Sequence, residues 1–208
     1  ALPLGLGVAI YISELANERT RKLMKPTIEL LAGIPSVVYG FFGLVVLVPI
    51  VQKAFHLPVG ETAFTGSLIL AIMALPTIIT VAEDAMRNTP RAMREASLAL
   101  GATHWQTVYK VVIPYSISGI SAAVVLGIGR AIGETMAVMM VMGNSPVFPR
   151  IMGRAETIPS LIALEMGTAT FKSVHYSSLY AAGLVLIIIV SIIQLTASKL
   201  NKRGETER

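Results

Sequence analysis

Apolar positions along this chain neither alternate nor recur on one helical face. They run in long blocks over residues 27–51, 66–82, 111–143 and 179–197, separated by more polar connections. A bilayer crossing needs about 17–25 mostly apolar residues, and each block reaches that range. The run "LVLIIIVSII" in the last block has no polar face to offer water, as a helix on the surface of a soluble protein must. The pattern predicts an all-α, polytopic transmembrane helix bundle with spans at about 27–51, 66–86, 111–143 and 178–198. A fifth block, 1–16, has no initiator Met and no basic leader. It reads as the second half of a helix rather than a signal peptide. Residues 1–208 are therefore expected to be one transmembrane domain of a longer protein, truncated at its N-terminal side.

Composition agrees. Apolar residues make up 54% and charged residues 14%, against roughly a quarter charged in soluble domains. The chain has no Cys, which excludes a disulfide frame, a thiol nucleophile and a thiolate metal site. The basic residues are unevenly placed: segments 17–26, 87–110 and 199–208 hold four each, while 53–64 holds one and 144–177 holds three. The two groups alternate along the chain as successive crossings require. The positive-inside rule then puts the first group, with the C-terminus, in the cytoplasm of a cell whose plasma or inner membrane the chain crosses. The net charge of +5 reflects that asymmetry. Split among three loops without an aromatic stacking platform, it does not point to nucleic acid.

The segment 87–114, "RNTPRAMREASLALGATHWQTVYKVVIP", is longer than a plain connection between spans. Thr89 before Pro90 reads as a helix N-cap with proline at the first helical position. Gly101 follows the helical stretch 91–100 as a C-terminal glycine. Thr103 and Gln106 have the spacing of a capping box that opens a second helix. A short helix with an Ala/Leu face and a charged rim fits either a partner's groove or the lipid headgroup layer.

Inside the block 111–143 stands "GIGRAIGETMAV", which places Arg130 and Glu134 deep in an apolar run. A central Arg costs about 2.5–3.5 kcal/mol on insertion scales, so it needs a reason. With uninterrupted helix, Glu134 lies four residues on, on the same face and within ion-pair reach. One reading is structural: the pair fixes packing, and Gly129-x-x-x-Gly133 forms a small-residue contact face. A second is a proton relay, which the adjacent cation disfavours by lowering the carboxylate pKa. The third, preferred here, is an oxyanion path: Arg130 offers a planar fork of donors, and Glu134 holds it ready until an anion takes its place. The glycines do not form a nucleotide fingerprint, since their spacing is wrong and no strand precedes them.

Glu95-Ala96-Ser97, three residues, Gly101, nine residues, Val111-x-Ile113-Pro114 resembles the EAA loop of ABC importer permeases, E-A-A-x3-G-x9-I-x-L-P, with departures at Ser97, Val111 and Ile113. The resemblance implies the type I ABC importer permease fold, with six spans in the complete chain and both ends in the cytoplasm. It also implies that 91–100 is the coupling helix that docks into a cleft of the ATPase subunit. Arg91, Arg94, Glu95, Ala96, Ser97, Gly101 and Pro114 would then form the ATPase-coupling set. "GRAIGETMAV" and "GIPSVVYGFFGL" are similar to the phosphate branch of these permeases, on the PstC-type rather than the PstA-type side. That implies as partners a dimeric ATP-binding subunit, a PstA-type permease, an extracytoplasmic phosphate-binding protein, phosphate and membrane lipid.

No residue is expected to be catalytic. The chain has no phosphate-binding loop of the G-x-x-x-x-G-K-[ST] type and no Gly-Lys pair. It is read as a transport subunit and not an enzyme, binding no cofactor itself, with ATP and Mg on the partner. His56, His104 and His175 are dispersed and suggest no metal site. Thr135 joins Arg130 and Glu134 as a path residue. Ser36 and Tyr39, after Pro35, either line the path or satisfy a carbonyl freed by the proline. Glu83 and Asp84 are expected to pair with Arg87 or Arg91, and Thr157 to cap a short external helix over 157–167. The alternatives are a permease for another oxyanion (sulfate or molybdate), an ion-coupled secondary carrier, or a membrane scaffold. The carrier has no use for an ATPase-docking loop, and the scaffold no use for central charges.

Overall fold

The computed structural model of the protein describes residues 1–148 and 150–206, the side chains of 196–206 excepted. The basic side chains predicted to mark the C-terminal segment 199–208 lie outside the described residues. The order of elements is α1 (Leu2–Ile10), α2 (Glu18–Ala32), α3 (Ser36–Phe42), α4 (Val48–Ala54), α5 (Ala63–Arg87), α6 (Arg91–Ala99), α7 (His104–Thr107), α8 (Ile113–Tyr115), α9 (Ile117–Gly133), α10 (Met136–Val141), α11 (Ile158–Glu165) and α12 (Val174–Thr206). Three π-helical turns, Tyr11–Leu15, Gly43–Leu47 and Val108–Val112, continue α1, join α3 to α4, and join α7 to α8. Among the described residues there is no strand, only an isolated bridge between Gly143 and Ala155.

Ser36–Ala54, Ala63–Arg87 and Val174–Leu195 are long and apolar enough to cross a membrane; the bent pair His104–Tyr115 and Ile117–Gly133 makes a fourth if it counts as one span. The structure divides the first and third apolar blocks where the sequence reading kept each whole. The block 27–51 breaks at 33–35, because Pro35 is held extended and α3 starts after it. The block 111–143 breaks twice. The first break is a 70° bend at Ser116, where Pro114, at the start of α8, has no N–H to continue the ladder. Ser116 turns its hydroxyl back to the Val112 carbonyl at 2.7 Å. The second break, at Glu134 and Thr135, separates α9 from α10.

The chain forms two compact units. The first comprises Ala1–Gly33, Ala74–Ile128 and Ile193–Arg208. Its core packs Ala9 and Ile12 with Ile28, Ile79, Met86 and Val112. Close approach within it depends on small residues: a Cβ on Gly119 would meet that of Ala85 at 2.3 Å, and one on Gly127 would meet Ile78 at 2.6 Å.

The second unit comprises Ile34–Met73 and Gly129–Ile192. Tyr39 and Val48 pack there on Ile69, Met73, Ala137, Val138 and Val141. Residues 151–153 lie against the start of α5: the N–H groups of Ala63 and Phe64 donate to the carbonyls of Gly153 and Ile151, both at 2.9 Å. This supplies partners for donors that a helix start leaves open. The predicted cap at Thr157 is present as a full capping box with Ser160 opening α11. Among the described residues, almost none of the apolar stretch Val174–Leu195 of α12 is buried within the chain.

Candidate functional site

The second unit holds all five predicted path residues: Ser36, Tyr39, Arg130, Glu134 and Thr135. Ser36 opens α3 behind Pro35, and Tyr39 is three residues on, on the same face. Their helix lies tight against α10: a Cβ on Gly40 would fall 2.8 Å from the Cα of Ala137 and from Sδ of Met140. Tyr39 is buried and interacts electrostatically with Arg130.

Arg130 sits in the last turn of α9, where a cation suits the negative end of the helix dipole. Its Nε is buried and has no hydrogen-bond partner. The arrangement with Glu134 differs from the sequence expectation. The uninterrupted helix that would stack the two residues four apart does not exist, since α9 ends at Gly133. Among the described residues no ion pair joins them. Oε1 of Glu134 instead accepts the backbone N–H groups of Thr135 and Ala137, each at 3.1 Å. The carboxylate thus caps α10, favoured by the positive end of its dipole, a task that Thr135 at the N-cap position does not perform with its own side chain. The hydroxyl of Thr135 points back to the Gly133 carbonyl at 3.4 Å. Gly129 and Gly133 have open space where a Cβ would stand, so among the described residues nothing packs on the contact face proposed for them. Gly127 is the glycine of this run that is pressed on a neighbour.

The first unit holds the whole predicted coupling set. The helix α6 closes in a Schellman turn: the Gly101 N–H donates to the Leu98 carbonyl at 2.9 Å and the Ala102 N–H to that of Ser97 at 3.2 Å. This requires Gly101 at φ +85°, a conformation cheap for glycine alone. Thr103 and Gln106 form both halves of their capping box. The start of α6 differs from the sequence expectation of a Thr89 cap. Pro90 is the N-cap of α6, and the hydroxyl of Thr89 is buried without a partner. Thr89 belongs to the turn that closes α5, its N–H donating to the Met86 carbonyl.

Helix α6 buries none of its residues, so Arg91, Glu95 and Ala96 are surface groups on it. Two of its side chains reach elsewhere. Arg94 pairs with Glu14 and donates to the Met86 carbonyl at 2.8 Å. Ser97, which departs from the EAA pattern, shares a 2.9 Å hydrogen bond with the hydroxyl of Thr107. Glu83 and Asp84 find a partner the sequence did not suggest: Lys25 of α2 donates to both, at 2.8 and 2.6 Å. Arg87 stands 4.0 Å from Oε1 of Glu83, within ionic reach but too far to hydrogen-bond, and that buried oxygen has no hydrogen-bond partner. Burial alone would depress the Lys25 ammonium, but its hydrogen bonds to Asp84 and Glu83 prevail and hold its pKa above the usual lysine value.

Residues 1–203 match the family described as binding-protein-dependent transport system inner membrane component. A probable ABC transporter permease protein, YqgH of Bacillus subtilis, is 44% identical over 98% of this chain and 66% of its own length. The phosphate transport system permease protein PstC of Mesorhizobium japonicum is 38% identical over 93% of the chain and 65% of its own length. That of Pasteurella multocida is 36% identical over 96% and 68%. The chain thus spans about two thirds of the length of the curated relatives it matches. Among solved structures, the inward-facing MetNI methionine ABC transporter superposes with a TM-score of 0.74 over 98% of this chain and 87% of the other, at 20% identity. A bacterial alginate ABC transporter in complex with an alginate-bound periplasmic protein gives 0.66 over 97% and 72%, at 19% identity. These two likenesses establish the ABC permease fold. With its several apolar helices, the chain is a multi-pass membrane protein that belongs to the family of binding-protein-dependent transport system inner membrane components.

Proposed function

We propose that this chain is a PstC-type permease subunit of an ATP-driven importer that carries inorganic phosphate into the cell. The observation that carries the reading is the Arg130 guanidinium, whose buried Nε lacks a partner while Glu134 is engaged on the start of α10. A partly buried planar cation left unneutralised by its neighbour in the sequence suits an oxyanion, which accepts several of its donors at once. The relatives named as phosphate permeases narrow the oxyanion to phosphate. Ser36, Tyr39 and Thr135 add hydroxyls in the same unit.

In this reading the segments 17–26 and 87–110 and the C-terminus face the cytoplasm of a plasma or inner membrane. ATP and Mg are bound by a separate dimeric ATPase, and α6 carries its closure into the spans. A PstA-type permease completes the pathway, and an extracytoplasmic phosphate-binding protein delivers the substrate. The chain itself makes and breaks no covalent bond. Its work is alternating access around the path that contains Arg130.

The test is labelled phosphate uptake by the reconstituted complex built with the full-length permease. Arg130→Gln is expected to lower uptake at least tenfold while the subunits still copurify. Undiminished uptake at equal assembly overturns the role of Arg130. Competition by sulfate or molybdate equal to that by unlabelled phosphate overturns the substrate.

A further inference from the structure

The side chain of Glu14, in the π turn that continues α1, is 2% exposed, and Arg94 of α6 pairs with it. The same guanidinium donates to the Met86 carbonyl, one residue before the end of α5. Glu14 is further fixed by the Ser13 hydroxyl, which donates to its Oε1 at 2.6 Å. The stretch that carries it is held from α2, since Arg21 donates to the carbonyls of Ile12 at 3.1 Å and Ser13 at 2.7 Å. A buried ion pair of this kind is a poor source of stability, because desolvating both charges offsets their attraction. Its geometry suggests another use. Since α6 buries no residue, it has no apolar face embedded in its own unit. Besides its short backbone connections to α5 and α7, this helix is held to its unit by polar ties, of which Arg94 spans the longest chain separation, eighty residues.

From this arrangement we infer that the Arg94–Glu14 pair is a mechanical tie through which α6 moves α1 and its π-helical continuation, with Glu14 as a positioning residue for energy coupling. The inference rests on the reading of the chain as an ATP-driven permease. The guanidinium fork suits the task because it holds two acceptors on two elements, Glu14 on the continuation of α1 and Met86 on α5, at fixed mutual geometry. A push on α6 then shifts both elements together. A lysine at 94 would keep the charge but not the fork.

The experiment uses the full-length permease assembled with its partner permease and ATPase in proteoliposomes, and measures ATP hydrolysed per phosphate imported. Glu14→Gln is expected to leave the subunits copurifying and hydrolysis within threefold of wild type, while uptake falls at least tenfold. Arg94→Lys should give an intermediate loss. The exchange Glu14→Arg with Arg94→Glu restores the opposite charges and should recover at least a third of wild-type uptake. If Glu14→Gln fails to assemble, a second measurement decides. Residues 1–208 contain no cysteine, so Glu14→Cys with Arg94→Cys, in a complex with any other cysteine replaced by serine, gives a single pair for a bifunctional thiol reagent. Cross-linking should restore coupled uptake that the unlinked double variant lacks. Wild-type stoichiometry in Glu14→Gln, or coupled uptake that stays absent after cross-linking, overturns the tie. A wild-type complex that imports no phosphate overturns instead the transport reading beneath it.

Discussion

Oε1 of Glu134 accepts the backbone N–H of Ala137 at 3.1 Å, and that of Thr135 at the same distance. The carboxylate is thereby committed to the start of α10 and not to Arg130. Two substitutions separate these duties. Glu134→Gln keeps a side-chain oxygen for the cap, and phosphate uptake by the reconstituted complex should stay within about threefold of wild type. Glu134→Ala removes the cap at a cost of about 1 kcal/mol and should lower both uptake and thermal stability. Equal loss in the two variants would return the charge pair to the centre of the site.

The glycines around the path divide by what surrounds them. A Cβ on Gly40 would press on the backbone of Ala137, whereas one on Gly129 meets nothing within 4 Å. Gly40→Ala is expected to destabilise the contact between α3 and α10 by about 1–3 kcal/mol, the range for overpacking. Gly129→Ala should be neutral or slightly stabilising in the isolated permease. If it blocks assembly with the second permease but not folding, the small-residue face is used between subunits. Thermal unfolding and copurification of the two variants give the comparison.

Gly101 has open space for a side chain but a φ of +85°. The cost of Gly101→Ala is therefore torsional, about 1–2 kcal/mol, and Gly101→Asn should cost less, since asparagine tolerates this region. Hydrogen exchange of the Leu98–Ala102 turn should quicken in the order Gly, Asn, Ala. ATPase-coupled uptake should fall in the same order. Unchanged exchange in Gly101→Ala would mean that the turn can close another way.

Lys25 holds a carboxylate that is 2% exposed, Glu83. Lys25→Met leaves that charge with only the distant Arg87, and should cost about 3 kcal/mol, as breaking a buried pair does. The pKa of Lys25 is raised in the folded protein above 10.5. Its contribution is therefore complete below that pH and is lost as pH rises through the higher folded value. The stability gap between wild type and Lys25→Met should be constant from neutral pH to about 10 and close in more alkaline buffer. A gap that closes near neutrality would show that the ammonium is not what holds Glu83.

The chain's signals divide by range. The Schellman turn at Gly101 and the capping boxes at Thr103 and Thr157 were legible because each is settled within about six residues by side-chain type and local torsion. Thr89 misled because the cap rule does not register that α5 has already claimed the turn. The break at Glu134 was missed for a related reason. An apolar run reads as one helix until a carboxylate is seen to cap a new start within it. Ser97 and Lys25 carried no local signal, since their partners Thr107 and Glu83 come from turns and helices brought near by folding.

By itself the sequence determined the α-helical membrane class, the alternation of basic connections and the loop with its punctuated helix, because these follow from hydrophobic run length, charge asymmetry and short-range backbone chemistry. The tertiary structure decided which charges face which. It took Glu134 away from Arg130, gave Glu83 to Lys25 and placed Glu14 under Arg94. Such pairings depend on where helices bend and pack, and a buried charge takes whichever partner the fold sets within reach, whatever its distance along the chain.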